Sequence, residues 1–426
     1  MNPIASMNPI VSLSPIAALL SGLFLASAAL APAAAQPLPL GSATIVNTEL
    51  DFEARWARVG AADNGAFRIA WYQSFVTNAQ DIRSRRLQAN GTFGSESTLN
   101  AVVAGNQNRP DLAMNGSADW AAIWLSLEPL GPGNGNHLYA RRTSADGTLL
   151  SGELAIDDPL ETASVAFHAV DIDANDEMVV AWSAWSDTVW FERSTPAGVG
   201  MGEFPVGISN SGDRDVAVAA LGDDRAVVAW TDFDGEGKGV ALRCVTDTQV
   251  FGPAIPVNQT TQGNQYGPQI AAAADGHFAV VWYTSIGDFH LRARFFDRDC
   301  DALGPEWVVD DAPTIPSSGF RIGMAADGAF VVVWDILQSA NDILAREFTK
   351  SGQPVGSSFS VLGAAFGSPE RPDVAVGPAT FAVVWNAPDF GLDDSDDVLV
   401  RRFARRVLFT DDFESGGDAA WSDVVP

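Results

Sequence analysis

Gly328 to Trp334 reads GAFVVVW, and near-copies of it end at six other tryptophans: AFRIAW at Trp71, DWAAIW at Trp124, EMVVAW at Trp182, RAVVAW at Trp230, HFAVVW at Trp282 and TFAVVW at Trp385. The tryptophans stand 53, 58, 48, 52, 52 and 51 residues apart, so one unit of about fifty residues is copied along most of the chain. Each phrase is an almost unbroken apolar run, rich in Val and closed by turn residues. That is the pattern of a strand buried on both faces, and it is too short for a helix.

On its N-terminal side the phrase follows an alternating run such as RPDLAMN (109–115), RDVAVAA (214–220), PQIAAAA (268–274) or RPDVAVG (371–377). Asn64-Gly65, Asp275-Gly276 and Asp327-Gly328 join run to phrase, and such pairs predict two-residue hairpins because both residues tolerate positive φ. A loop of varying length leads to a third strand carrying an arginine at one position in all seven units: Arg85, Arg141, Arg193, Arg243, Arg294, Arg346 and Arg401. A glycine turn and a short fourth strand follow, as in AIPVN (254–258) or SFSVL (358–362). Seven units of four antiparallel strands predict an all-β, seven-bladed β-propeller over residues 36–406. A row of sandwiches would need more strands per unit, and a solenoid a shorter repeat. The stretch LPLGSATIVNTELD (38–51) matches a fourth strand yet precedes the first unit, so the N-terminal strand is expected to complete the last blade and close the ring.

The first forty residues carry no charge; an apolar stretch from Pro15 to Ala31 and the small residues Ala33 to Ala35 predict a signal peptide over residues 1–35 and an exported protein, extracellular, surface-bound or periplasmic. Residues 407–426 follow no blade pattern and form a C-terminal tail. No segment of the mature chain approaches a membrane span. A net charge of -28 excludes general attraction to nucleic acid or anionic lipid. Lys238 and Lys350 are the only lysines, so almost every cation is an arginine, suited to fixed hydrogen bonding.

With their [RP]PD[VL]A, DGxFVVVW, AR[RE]F and PxGxxFxV elements, residues 38–406 resemble the tandem β-propeller-type repeats of large exported and surface proteins of bacteria. Residues 409–422, FTDDFESGGDAAWS, are similar to a C-terminal Phe-x-Asp-Gly-Phe-Glu-Ser-Gly…Trp-Ser motif of exported Gram-negative proteins, with Asp412 in place of its glycine. The resemblance implies an architecture, not a chemistry; for the tail it implies sorting or processing.

The four histidines are scattered, and neither HExxH, GxSxG nor a phosphate-cradling loop occurs. Candidate binding residues are Trp185 and Trp190, aromatics that no other unit has there, and the loop acids Asp232, Asp234 and Glu236. Asp393, Asp394, Asp396 and Asp397 cluster carboxylates as a calcium site would, although a solvated acidic loop explains them as well. No motif calls for another cofactor. Cys244 and Cys300 are the only cysteines, and in an oxidising compartment an even pair favours a disulfide; one lies in a strand and the other in a turn, which leaves free thiols open. The repeated arginines read as blade pins, acting through Asp111, Asp215 and Asp373.

With no catalytic constellation in view, the sequence predicts a monomeric, non-enzymatic propeller that binds a protein or glycan through its loops. The competing expectation is a hydrolase or lyase with carboxylate catalysis at the central mouth, and a third is an envelope component. The loops between second and third strands vary most, the tryptophan-to-arginine distance being 14, 17, 11, 13, 12, 12 and 16 residues, so any site is expected on that face.

Overall fold

The computed structural model describes residues 36–406, apart from 76–78, 102–104, 128–134, 158–163, 247–248, 286–288, 314–315, 317–318, 337–340, 364–367 and 389–394. The expected signal peptide and C-terminal tail lie outside the described residues, as do Asp393 and Asp394. Among the described residues every regular element is a strand, and no helix is long and apolar enough to cross a membrane.

The repeat in sequence is a repeat of strands. In the sixth unit these are Phe320–Met324, Phe330–Ile336, Asp342–Phe348 and Phe359–Ser360, paired antiparallel in that order. The tryptophan strand is second, flanked on both sides, and so its residues are apolar on both faces. The described strands form five four-stranded sheets and one of eight. The larger sheet is the first two units joined by a single parallel pair, Gln80 with Asn106. The first strand of the second unit, Asn106–Met114, is long enough to reach its neighbour, and Asn108 Nδ2 donates to Gln80 Oε1 at 3.2 Å.

The expected two-residue hairpins are corrected to three-residue loops. Ala273 N–H donates to the His277 carbonyl at 2.9 Å, leaving Ala274, Asp275 and Gly276 to make the turn, and Gly276 takes φ 85°. A turn closed by a left-handed glycine follows the strand twist as well as the two-residue form does, and Asp-Gly serves both.

Packing between units rests on the repeated tryptophans. Trp71, Trp124, Trp230, Trp282, Trp334 and Trp385 are fully buried, and each sits in an apolar cluster drawn from two units. One cluster joins Trp71 and Phe67 of the first unit to Val384, Val398 and Val400 of the seventh, and includes Val46. The N-terminal segment also pairs with the third strand of the seventh unit, Thr44 opposite Val400 and Ile45 opposite Leu399.

The third-strand arginines bind backbone carbonyls of the preceding unit, not the aspartates expected from sequence. Nη1 of Arg294 donates to the Val257 carbonyl at 3.0 Å, that of Arg346 to Val309 at 2.7 Å and that of Arg401 to Val361 at 2.7 Å. Arg85 does the same to Val46, at 2.7 Å, so the N-terminal strand stands where a preceding unit's fourth strand would. Fourth strands as short as two residues leave carbonyls unpaired, and a guanidinium supplies the missing donors. Arg193 departs from the rule and pairs with Glu177 at 2.9 Å.

Candidate active site

The first strands of all seven units line one cavity of about 730 Å³. Register sorts its wall into layers. Opposite the residue that precedes each tryptophan stand, in unit order, Arg58, Asp111, Ala169, Ala217, Gln269, Arg321 and Asp373. Two residues earlier, toward the variable loops, stand Trp56, Arg109, Phe167, Asp215, Gly267, Gly319 and Arg371. The cavity reaches the loop residues Ser285 and Phe289 on that face.

Most charges of the deeper layer are partnered, Arg321 reaching, among the described residues, only the Phe320 carbonyl, at 3.0 Å. Arg58 Nε lies 3.2 Å from Asp111 Oδ1, and Asp373 Oδ2 accepts the Val59 N–H of the first unit at 2.9 Å. Asp111 and Asp171 likewise accept N–H groups of the next unit, from Val170 at 3.2 Å and Ala220 at 2.9 Å. Burial pushes Asp171 up to about 6 and Arg321 down to about 10.

The mouth layer is different. Asp215 is half-buried against the cavity, and among the described residues nothing hydrogen-bonds to its carboxyl. Burial, reinforced by the Asp213 charge and opposed by Arg321 and Lys238, raises it to about 6. Beside it, Tyr266 and Tyr283 meet edge to face with centroids 5.4 Å apart, and burial holds both hydroxyls protonated, Tyr283 up to about 12.

Across units seven, one and two the same layer carries Arg371, Trp56 and Arg109, all left-handed at φ 56°, 58° and 49°. Unit five has a glycine there, Gly267 at φ 68°, the residue that adopts this backbone without penalty. Each non-glycine residue costs about 1–2 kcal/mol in this conformation, and local contacts hold it. Trp56 N–H donates to Asn386 Oδ1 at 3.1 Å, and His168 Nε2–H donates to the Arg109 carbonyl at 2.8 Å. Burial drives His168 down to about 4, so the ring is neutral at pH 7 and its other nitrogen is an acceptor.

The residues singled out from sequence fall elsewhere. Trp185 is 60% exposed and lies outside the cavity wall. Arg214, the chain neighbour of Asp215, stands 4.6 Å from its ring centre and is fixed by Asp187 at 2.8 Å. Trp190 stacks on Trp182 at 6.4 Å and belongs to the packing between units. Asp232 accepts from Asn210 at 3.0 Å, Asp234 closes its own turn through the Glu236 and Gly237 N–H groups, and Glu236 accepts from Thr261 at 3.2 Å. Asp396 pairs with Arg55, and Asp397 accepts from Asn47 at 2.8 Å. Among the described residues no three His, Cys, Asp or Glu side chains are grouped to hold a metal. Cys244 and Cys300 are disulfide-bonded, with Cα atoms 6.2 Å apart.

Sequence alone casts Asp215 as an arginine partner and passes over Trp56, Arg109 and Arg371. The available signal was Arg-Pro-Asp at 109–111 and 371–373, the same triplet in units that flank the one carrying Trp56.

No protein-family model matches the sequence, and no curated protein matches it. Solved structures match in fold. A protein of unknown function from Dyadobacter fermentans is 11% identical, with a TM-score of 0.53 over 85% of this chain and 98% of that one. A polysaccharide lyase described as an ulvan lyase is 10% identical, at TM-score 0.51 over 83% and 95%. An α-L-arabinofuranosidase from Fusarium graminearum is 10% identical, at TM-score 0.50 over 69% and 92%. These likenesses establish a β-propeller-type fold. They also overturn the expectation of a non-enzymatic binder, because two of the three are named enzymes of carbohydrates and the wall of this cavity holds an acid that the sequence casts as scaffold.

Proposed function

We propose that the chain is a glycan-cleaving enzyme working at the mouth of its central cavity, with Asp215 as the proton donor to the departing sugar oxygen. The observation that carries this is a carboxyl facing the cavity, without hydrogen-bond partners among the described residues and raised to about 6. Such a group is still largely protonated in mildly acidic solution, as a general acid must be. When the glycosidic C–O bond breaks, its electron pair stays on the leaving oxygen, which takes the Asp215 proton; the carboxylate is reprotonated from solvent. Water completes a hydrolysis, whereas loss of a ring hydrogen to a base completes an elimination. The donor step is common to both.

In this reading seven blades form one ring, closed where Thr44–Ile45 joins the seventh unit. The chain is exported after loss of residues 1–35, and the Cys244–Cys300 bond suits an oxidising compartment.

Asp215→Asn tests the role. It keeps the shape and removes the acid, and turnover on a panel of plant and algal polysaccharides, read as new reducing ends or unsaturated products, is expected to fall about 100-fold or more. Wild-type turnover is expected to decline above pH 6, where the acid is lost. A variant as active as wild type, or a panel wholly resistant to the wild-type protein, sinks the proposal.

A further inference from the structure

Arg371, Trp56 and Arg109 come from units seven, one and two, share one register position and share a backbone conformation that suits glycine. The two guanidinium carbons lie 4.2 Å and 5.1 Å from the centre of the Trp56 ring, and Arg109 also approaches Phe167 at 5.9 Å. Flat cations against an indole make a rigid shelf at the cavity wall. Neither arginine is required for the fold at this position, since Gly267 fills it in the fifth unit.

Charge points to what the shelf receives. The chain has 53 acidic residues against 25 basic ones. Yet among the described residues Arg109 makes no ion pair; its Nη1 donates only to the Ala166 carbonyl, at 3.2 Å. Burial lowers Arg371, and the charges of Arg58 and Arg109 add to this against the opposing pull of Glu370. An anion placed between the two arginines of the shelf relieves their repulsion, and the planar donors of a guanidinium match the oxygens of a carboxylate or a sulfate.

We propose that the Arg371–Trp56–Arg109 shelf binds the anionic substituent of an acidic glycan, so that the substrate of the site is a polymer of uronic acids or of sulfated sugars. This rests on the reading of the cavity as a glycan-cleaving site, but its test reads binding alone.

The whole protein, and the same protein carrying Arg109→Gly, Arg109→Lys or Asp215→Asn, is titrated with polygalacturonate, dextran sulfate and unmodified dextran at low salt, with affinity read by electrophoretic retardation. Arg109→Gly suits the left-handed backbone, so its melting temperature is expected to equal or exceed wild type and a loss of binding cannot be laid to misfolding. The expected result is at least tenfold weaker retention on the preferred acidic polymer for Arg109→Gly, partial recovery with Arg109→Lys, retention at least as strong as wild type for Asp215→Asn, which removes a like charge from the mouth, and little retention of any form on dextran. Preference for polygalacturonate identifies a carboxylate as the ligand, and preference for dextran sulfate a sulfate. Equal retention of Arg109→Gly and wild type overturns the proposal, as does wild-type binding to dextran as strong as to either acidic polymer, or no binding to both. Retention on acidic polymers without cleavage upholds the shelf and rejects the catalytic reading; cleavage of neutral glycans alone does the reverse.

Discussion

Arg346 and Arg109 are the same side chain put to opposite uses. Arg346 directs its fork at two backbone carbonyls, Val309 at 2.7 Å and Gly356 at 3.0 Å, and its counterparts Arg85, Arg141, Arg243, Arg294 and Arg401 also reach carbonyls. Arg109 sits in a left-handed turn of its strand, leans on two aromatic rings and meets no carboxylate within ion-pair distance among the described residues. The first kind recurs because unit after unit has the same gap to fill. The second occurs where its neighbours differ: the seven mouth positions hold two arginines, a tryptophan, a phenylalanine, an aspartate and two glycines. In a repeat protein a residue repeated in every unit is the scaffold's signature, and chemistry is found where one layer of the repeat refuses to agree with itself.

On the scaffold side, the most damaging change removes what joins the first unit to the seventh. Deleting residues 36–51 takes away the Thr44 and Ile45 pairing, the Val46 side chain in the shared core, the Val46 carbonyl bound by Arg85, and the Asn47 bond to Asp397. It uncovers the edge of the Asp397–Ala404 strand and an apolar face at once, so the loss is expected to exceed about 4 kcal/mol and to blur the unfolding transition. Thermal unfolding that matches the intact protein refutes the proposed closure of the ring by this strand.

A smaller change separates the two kinds of arginine. Arg346→Ala leaves two carbonyls without donors and is expected to cost about 2–3 kcal/mol. Arg346→Lys recovers only part of this, because an ammonium cannot serve both carbonyls in one plane. Polysaccharide retention at a temperature where the variants remain folded is expected to be unchanged. Denaturant titration reads the first quantity and gel retardation the second; weakened binding by Arg346→Lys contradicts the division drawn between scaffold and mouth.

The repeat period, the strand count per unit and the buried tryptophans were legible because each follows from a local pattern: an apolar run, a turn pair, a fixed spacing. The N-terminal strand was legible from phase, LPLGSATIVNTELD having the form of a fourth strand without a unit in front of it. The partners of the arginines were not, because a backbone carbonyl left over by a two-residue strand has no letter in the sequence. Nor was the site. Asp215, Trp56 and Arg371 are separated by up to 315 residues and meet only through register around the cavity wall, while Trp190 and Asp397, conspicuous in the sequence, are consumed by packing and by Asn47.

The smallest expected effect belongs to Asp215, and it is read through stability instead of turnover. The ordinary carboxyl value of 3.8 is raised to about 6 in the folded protein, so the folded state holds the proton more tightly than the unfolded one. Between pH 3.8 and 6 the folded chain therefore binds more protons, and the stability this carboxyl contributes falls as pH rises through that window, then stays low above it. A shift of about two pH units would correspond to roughly 3 kcal/mol, but solvent at the cavity mouth screens a group that is only partly buried, and about 1 kcal/mol is expected. Asp215→Asn removes the charge and with it the penalty. The variant is expected to melt about 1–2 °C above wild type at pH 8 and to match it at pH 4, where both side chains are neutral. A scaffold carboxylate behaves oppositely: Asp397, which accepts from Asn47 at 2.8 Å, should lose stability on conversion to Asn at pH 8. If Asp215→Asn also destabilises at pH 8, the carboxylate is making contacts that hold the fold, and it belongs with the arginine pins, not with the mouth.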